Sequence, residues 1–175
     1  MAMQHTPLLM SNILDRGATV APNEEIVTLT ETGVRRQSYR ETRDRAHQLA
    51  HALAGIGIKV GDRVGTFMWN GSRHLEAYHA VAGMGAVLHT LNVRLSPKDL
   101  EYIINHAEDQ IIIVDADVLP LLEVLNGKIP TVRKIIVATE DGFEGWSTGL
   151  PDPVDYEAFI NGQPTHYEWP QIDEN

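Results

Sequence analysis

The run Ser96-Pro97-Lys98-Asp99-Leu100-Glu101-Tyr102-Ile103-Ile104-Asn105-His106-Ala107-Glu108-Asp109-Gln110-Ile111-Ile112-Ile113-Val114 decides the fold class. Ser96 is a helix cap, Pro97 suits the first helical position, and Asp99 stands three residues after the cap. Leu100, Ile103, Ile104 and Ala107 then recur at helical spacing, so one face of this helix is apolar. Ile111–Val114 is apolar at every position. A strand with one wet face would alternate, so this one is covered on both faces, as in a parallel sheet.

The same alternation of helix and strand extends in both directions. Thr6-Pro7 predicts the start of a helix running to about Ala18. Ile26–Thr30 and Val34–Ser38 flank Glu31-Thr32-Gly33 and predict a hairpin with Gly33 at a positive-φ site. Ser38 and Glu41 form a capping box. Ala46, Leu49, Ala50 and Leu53 make the apolar stripe of the helix behind it, which Gly55 and Gly57 end. Val64–Met68 is a short apolar strand. Asn70, Gly71 and Ser72 lead into a helix ending near Gly83-Met84-Gly85, and Ala86–Leu91 reads as a buried strand. On the C-terminal side, Asp115 or Asp117 is expected to cap a helix reaching about Leu125. Ile135–Ala138 is another strand, and Asp155 caps a short helix over Tyr156–Ile160. The expectation is an α/β fold: a parallel sheet with helices on both faces, a Rossmann-like layer, plus an antiparallel hairpin.

Composition narrows the function. The chain has 175 residues and a net charge of −10, which argues against a phosphate-tracking nucleic-acid partner. It has no Cys, so disulfides, thiol nucleophiles and Cys-ligated zinc or iron–sulfur sites are out. No apolar run has the length of a transmembrane segment and no signal pattern opens the chain, so a cytoplasmic location is expected. All Lys and Arg precede residue 135, whereas acids, Gly and Pro continue beyond it. The expected organisation is therefore an α/β subdomain over 1–134 and a last strand with an acidic, turn-rich connector over 135–175, including the short helix near 155–160.

No complete catalytic set emerges from residue types. His47 and His51 stand four apart on one helix, but Gln48 holds the position where a metalloprotease needs a glutamate base, so a solvated helix face is the better reading. His74, His79, His89 and His106 read as packed or capping histidines. Asp115-Ala116-Asp117 after an apolar strand suits a divalent cation, but a helix cap with a first-turn acid is preferred. Gly55-Ile56-Gly57 follows a helix and lacks its third glycine at Val60, so it is no dinucleotide loop. Gly83 and Gly85 suit close packing and a helix end. Neither a Walker loop nor a nucleophile elbow is present. No catalytic, cofactor-binding or metal residue is assigned.

Resemblance carries the reading further. The run His89-Thr90-Leu91-Asn92-Val93-Arg94-Leu95-Ser96-Pro97, continued by Leu100 through Asp109, resembles the acyl-CoA synthetase branch of the adenylate-forming (AMP-binding) superfamily. Tyr39, Ala50–Ala54 with Gly57-Ile58-Lys59-Val60-Gly61-Asp62-Arg63-Val64, the Asn70, Glu76–Ala80 and Gly85–Val87 segments, and Asp155-Tyr156-Glu157 resemble further motifs of that family in order. The resemblance covers roughly residues 8–170 and is closest to medium- and long-chain fatty acid–CoA ligases. It implies a parent ligase that forms an acyl-adenylate from ATP and a fatty acid, then an acyl-CoA, with ATP, Mg²⁺ and CoA as its cofactors. The phosphate loop, the later Thr-Glu pair, the ribose Asp and the lid lysine of such enzymes have no counterpart here. The chain is therefore expected to be an N-terminal portion, catalytically inactive, with none of these groups bound. Its expected partners are the remaining subdomains of the same ligase, including the nucleotide-binding core, or a second copy in a homodimer. The alternative is a stand-alone binding, regulatory or dimerisation domain derived from such a ligase.

Overall fold

A computed structural model describes residues 8–30, 33–140 and 148–172. The elements run α1 (Met10–Val20), β1 (Glu25–Thr30), β2 (Gly33–Ser38), α2 (Tyr39–Gly55), β3 (Arg63–Phe67), α3 (Ser72–Gly83), β4 (Val87–Thr90), α4 (Pro97–Ala107), β5 (Ile111–Asp115), α5 (Leu119–Glu123), β6 (Lys134–Ala138), β7 (Pro153–Asp155) and α6 (Tyr156–Ile160). Strands β3 to β7 form one parallel sheet in the order β4-β3-β5-β6-β7, and β1 and β2 form a separate antiparallel pair. The expected α/β class and hairpin are both present.

The apolar strands explain the layering. Side chains alternate across a strand. Ile111 and Ile113 of β5 and Ile136 of β6 join the core under α1, α2, α3 and α6, with Leu14, Leu49, Ala77 and Tyr156. Ile112 and Val114 of β5 and Ile135 and Val137 of β6 join the core under α4 and α5, with Leu100, Ile104 and Leu122. The uninterrupted Ile/Val run is thus the consequence of a sheet covered on both sides. Caps act as the sequence predicts at three helices. On α4, Ser96 Oγ accepts the Asp99 N–H at 3.3 Å with Pro97 at the first position. Ser38 and Glu41 complete a capping box on α2, and Asp155 accepts the Ala158 N–H at 2.9 Å on α6.

Several expectations change. The helix start expected at Thr6-Pro7 lies outside the described residues, and α1 begins at Met10 with no side-chain cap. The strand predicted as buried over Ala86–Leu91 is the edge strand β4, with Val87 48% exposed. Its apolar character reflects packing on one face only, because the chain steps outward from β3 to β4 and then returns past β3 to β5. The sheet also has a fifth strand, β7, too short to leave a pattern. Residues beyond 134 supply β6, β7 and α6, and β6 lies between β5 and β7. Among the described residues no helix is long and apolar enough to cross a membrane.

Candidate functional site

A crevice of about 450 Å³ lies beyond the C-terminal ends of β3, β5 and β6, roofed by the hairpin. The chain leaves β3 toward β4 on one side, while β5 lies on the other, so the crevice sits where the strand order reverses. Doubly wound sheets bind ligands at this place because the strand-end loops diverge there. Trp69, Asn70 and Arg73 come from the β3 end and α3, Asp115 and Asp117 from the β5 end, Thr139 and Glu140 from the β6 end, and Arg35 from β2.

Asp115 and Asp117 face Trp69, not their own helix. Asp115 Oδ2 accepts the Trp69 backbone N–H at 2.7 Å, and Asp117 Oδ2 accepts its indole N–H at 2.8 Å. Helix α5 starts after Val118 with no side-chain cap, so the expected cap is absent. The physical reason is that β3 ends just before Trp69 and leaves its amide without a ladder partner, which the Asp115 carboxylate supplies across the crevice. Burial pushes the Asp115 carboxyl up to about 6, against the pull of the Trp69 N–H, and the neighbouring Asp117 charge adds to the rise. The cation alternative does not gain either: among the described residues no group of three or more His, Asp or Glu is placed to hold a metal ion.

The crevice opens onto a chain of ion pairs that residue types alone did not reveal. Glu76 of α3 is fully buried and accepts from Gln37 Nε2, Arg45 Nε and the Tyr156 hydroxyl at 2.7–2.8 Å. Arg45 turns its other two nitrogens onto both oxygens of Glu157 at 2.8 and 2.9 Å. Arg73 spans Glu157 (2.9 Å) and Glu140 (3.0 Å), and Arg35 pairs with Glu140 as well. Three arginines and three glutamates therefore balance. Burial alone would lower the Arg45 pKa, but Glu157 and Glu76 outweigh it and hold the guanidinium above its ordinary range. Burial also raises Glu157, yet its bonds from Arg45 and Arg73 bring it below the ordinary carboxylate value. Burial, then the Glu76 charge, puts the Tyr156 hydroxyl well above its usual pKa, so it remains a donor. Sequence held one signal for this network: Glu76 interrupts the apolar face that Ala77, Ala80 and Val81 define.

The histidines are mostly structural, as expected. His74 bridges Trp69 O and Thr66 Oγ1, His79 faces Met10 O, and His106 stacks on Tyr102. His89 bonds the buried Asp109 at 2.8 Å. His47 and His51 depart from the expectation. His47 is 3% exposed, and both rings contact the segment His166–Trp169, so this face of α2 is covered and not solvated. Gly55 ends α2 and Gly57 follows it at φ 88°, so the pair follows a helix, not a strand, which agrees with rejecting a dinucleotide loop.

The sequence profile of the AMP-binding enzymes matches residues 14–169. The chain belongs to the AMP-binding enzyme family. Among AMP-binding relatives, a long-chain-fatty-acid–CoA ligase of Thermus thermophilus is 46% identical over 145 residues, which cover 82% of this chain and 27% of the relative. A medium-chain-fatty-acid–CoA ligase of Ectopseudomonas oleovorans is 34% identical over 174 residues, covering 99% of this chain and 32% of the relative. The crystal structure of an anthranilate CoA ligase in complex with anthranoyl-AMP superposes with a TM-score of 0.83 at 26% identity, over 99% of this chain and 32% of that one. The chain spans about a third of the length of these relatives or less, and aligns with one part of each. Within that part, the Asp155-Tyr156-Glu157 stretch has a structural role: Asp155 caps α6, while Tyr156 and Glu157 bind the arginine–glutamate chain.

Proposed function

We propose that this chain is the N-terminal portion of an ATP-dependent fatty acid–CoA ligase, acting in the cytoplasm, and that it is catalytically inactive alone. In this reading the complete ligase joins a medium- or long-chain fatty acid to ATP as an acyl-adenylate, then passes the acyl group to CoA. The observation that carries the reading is the 46% identity to a long-chain-fatty-acid–CoA ligase across most of this chain.

The residues of the crevice do not fit a triphosphate with its Mg²⁺. Arg35 and Arg73 are both engaged by Glu140, and Asp115 and Asp117 add negative charge beside them. A polyphosphate placed there would meet repulsion before it met a free cation. No step of adenylate formation is therefore assigned to these residues. The role we assign is support: the sheet and the ion-pair chain fix one layer of the ligase body. The outer face of the hairpin, where Val27, Leu29 and Val34 are 55%, 83% and 57% exposed, is assigned to contact with the remaining ligase subdomains.

The test is a chimera in which this chain replaces the matching segment of the Thermus thermophilus ligase. Fatty-acid-dependent acyl-CoA formation by the chimera is the expected result. A folded chimera that binds ATP but forms no acyl-CoA from any fatty acid would contradict the assignment. Sedimentation of the chain alone tests the surface: concentration-dependent self-association is expected while the hairpin face lacks its cover, and a strict monomer at high concentration opposes it.

A further inference from the structure

The segment from Gln163 to Ile172 lies across α2 and the end of α3 as a strap with no regular structure of its own. Its backbone groups find partners on side chains of α2. Gln48 Nε2 donates to Gln163 O at 3.1 Å, and His51 Nε2 donates to His166 O at 2.7 Å. In the other direction, the Tyr167 N–H donates to His47 Nδ1 at 2.6 Å. Trp169 lies against the His47 ring with centroids 4.7 Å apart, and it covers Gly83, where a Cβ would come within 2.8 Å of the indole. A side chain at residue 83 would thus lift the tryptophan.

We propose that this strap is a pH-gated clasp: α2 holds it while His47 is neutral and releases it when Nδ1 takes up a proton. The chemistry follows from the tautomer. Accepting from Tyr167 requires a bare Nδ1, which puts the ring proton on Nε2, facing Asp15 Oδ1 of α1 at 3.3 Å. A second proton turns the acceptor into a donor pointing at another donor, so the Tyr167 bond cannot survive.

The surroundings weigh on both sides. Asp15 favours the cation, while burial opposes it more strongly, and Arg43 of α2 and His166 of the strap add repulsion, so the His47 pKa is below its ordinary 6.5. From α3, His79 shares the Asp15 charge. His51 lies on the far side of Tyr167. Because the docked form holds the lower pKa, docking is fully favoured above about 6.5 and weakens as pH falls through the docked value. The released-to-docked ratio rises by up to about tenfold per pH unit between the two values.

Proton–nitrogen NMR of the whole chain, titrated downward from pH 8, tests this. The Tyr167 amide and the Trp169 indole N–H, which is buried without a partner, are expected to move together with the His47 ring, at a midpoint below 6.5. His47→Asn keeps an acceptor near the Nδ1 position and cannot titrate, so it should abolish the transition; His166→Asn should keep it. Unmoved Tyr167 and Trp169 signals while His47 titrates would overturn the proposal, as would a full transition in His47→Asn. Should that variant fail to fold, the wild-type titration decides alone, because the strap signals either follow His47 or they do not.

Discussion

Two charged regions lie side by side and are built on opposite rules. Around Glu76 every charge has an opposite partner, the polar atoms are saturated, and Tyr156 closes the cluster between the Arg45 and Arg73 guanidinium groups, 5.9 and 6.0 Å from its ring. In the crevice, Asp115 and Asp117 have a tryptophan for a partner and, among the described residues, no ion pair of their own, and Trp69 is 46% exposed. The first region is charge-balanced and fully buried at Glu76 and Tyr156, so it fixes geometry. The second is open and carries excess negative charge, so it tolerates change. A count of charged residues would treat them alike; burial and pairing separate them.

The comparison is broken most directly at Glu76. Glu76→Ala leaves Arg45 and Tyr156 without their shared acceptor and should destabilise the fold by about 3–5 kcal/mol in a denaturant titration. A loss below about 1 kcal/mol would mean that the cluster is wet and exchangeable. Next comes Tyr156→Phe, which removes one donor to a buried carboxylate and should cost about 1–3 kcal/mol. Asp115→Asn acts in the opposite direction. The amide keeps an acceptor for the Trp69 N–H and sheds a charge whose pKa is raised to about 6. Asp115 binds its proton more tightly in the folded chain, so its stabilising contribution is present below about 3.8 and lost as pH rises through about 6. The variant should therefore gain on the wild type across that window, reaching about 3 kcal/mol above it. A constant difference at all pH values would contradict the assigned shift. Asp117→Ala, at the open end, should change stability by no more than about 0.5 kcal/mol.

What was legible in the sequence follows the same division. Ile111–Val114 and the stripe Leu100, Ile103, Ile104 and Ala107 disclosed a covered parallel sheet, because periodicity reports burial directly. Capping at Ser38 and Asp155 was legible because those bonds are local. The position of β4 at the sheet edge was not, since strand order depends on crossovers that leave no local trace. Nor was the partnership of Glu76 with Arg45 and Tyr156, or that of Arg45 with Glu157, which joins residues 112 positions apart. Asp115 and Asp117 looked like caps because the helix that follows is close in sequence; the partner they take, Trp69, is close only in space. His47 and His51 looked solvated because the strap that covers them lies far along the chain.

The family resemblance was legible from ordered motifs, and the profile match over residues 14–169 agrees with it. On the proposed function, this chain supports a ligase without performing its chemistry. Fatty-acid-dependent exchange of pyrophosphate into ATP, measured on the purified chain alone, tests it most directly. Exchange at background is expected with every fatty acid; exchange that rises in proportion to the chain's concentration would contradict the proposed role.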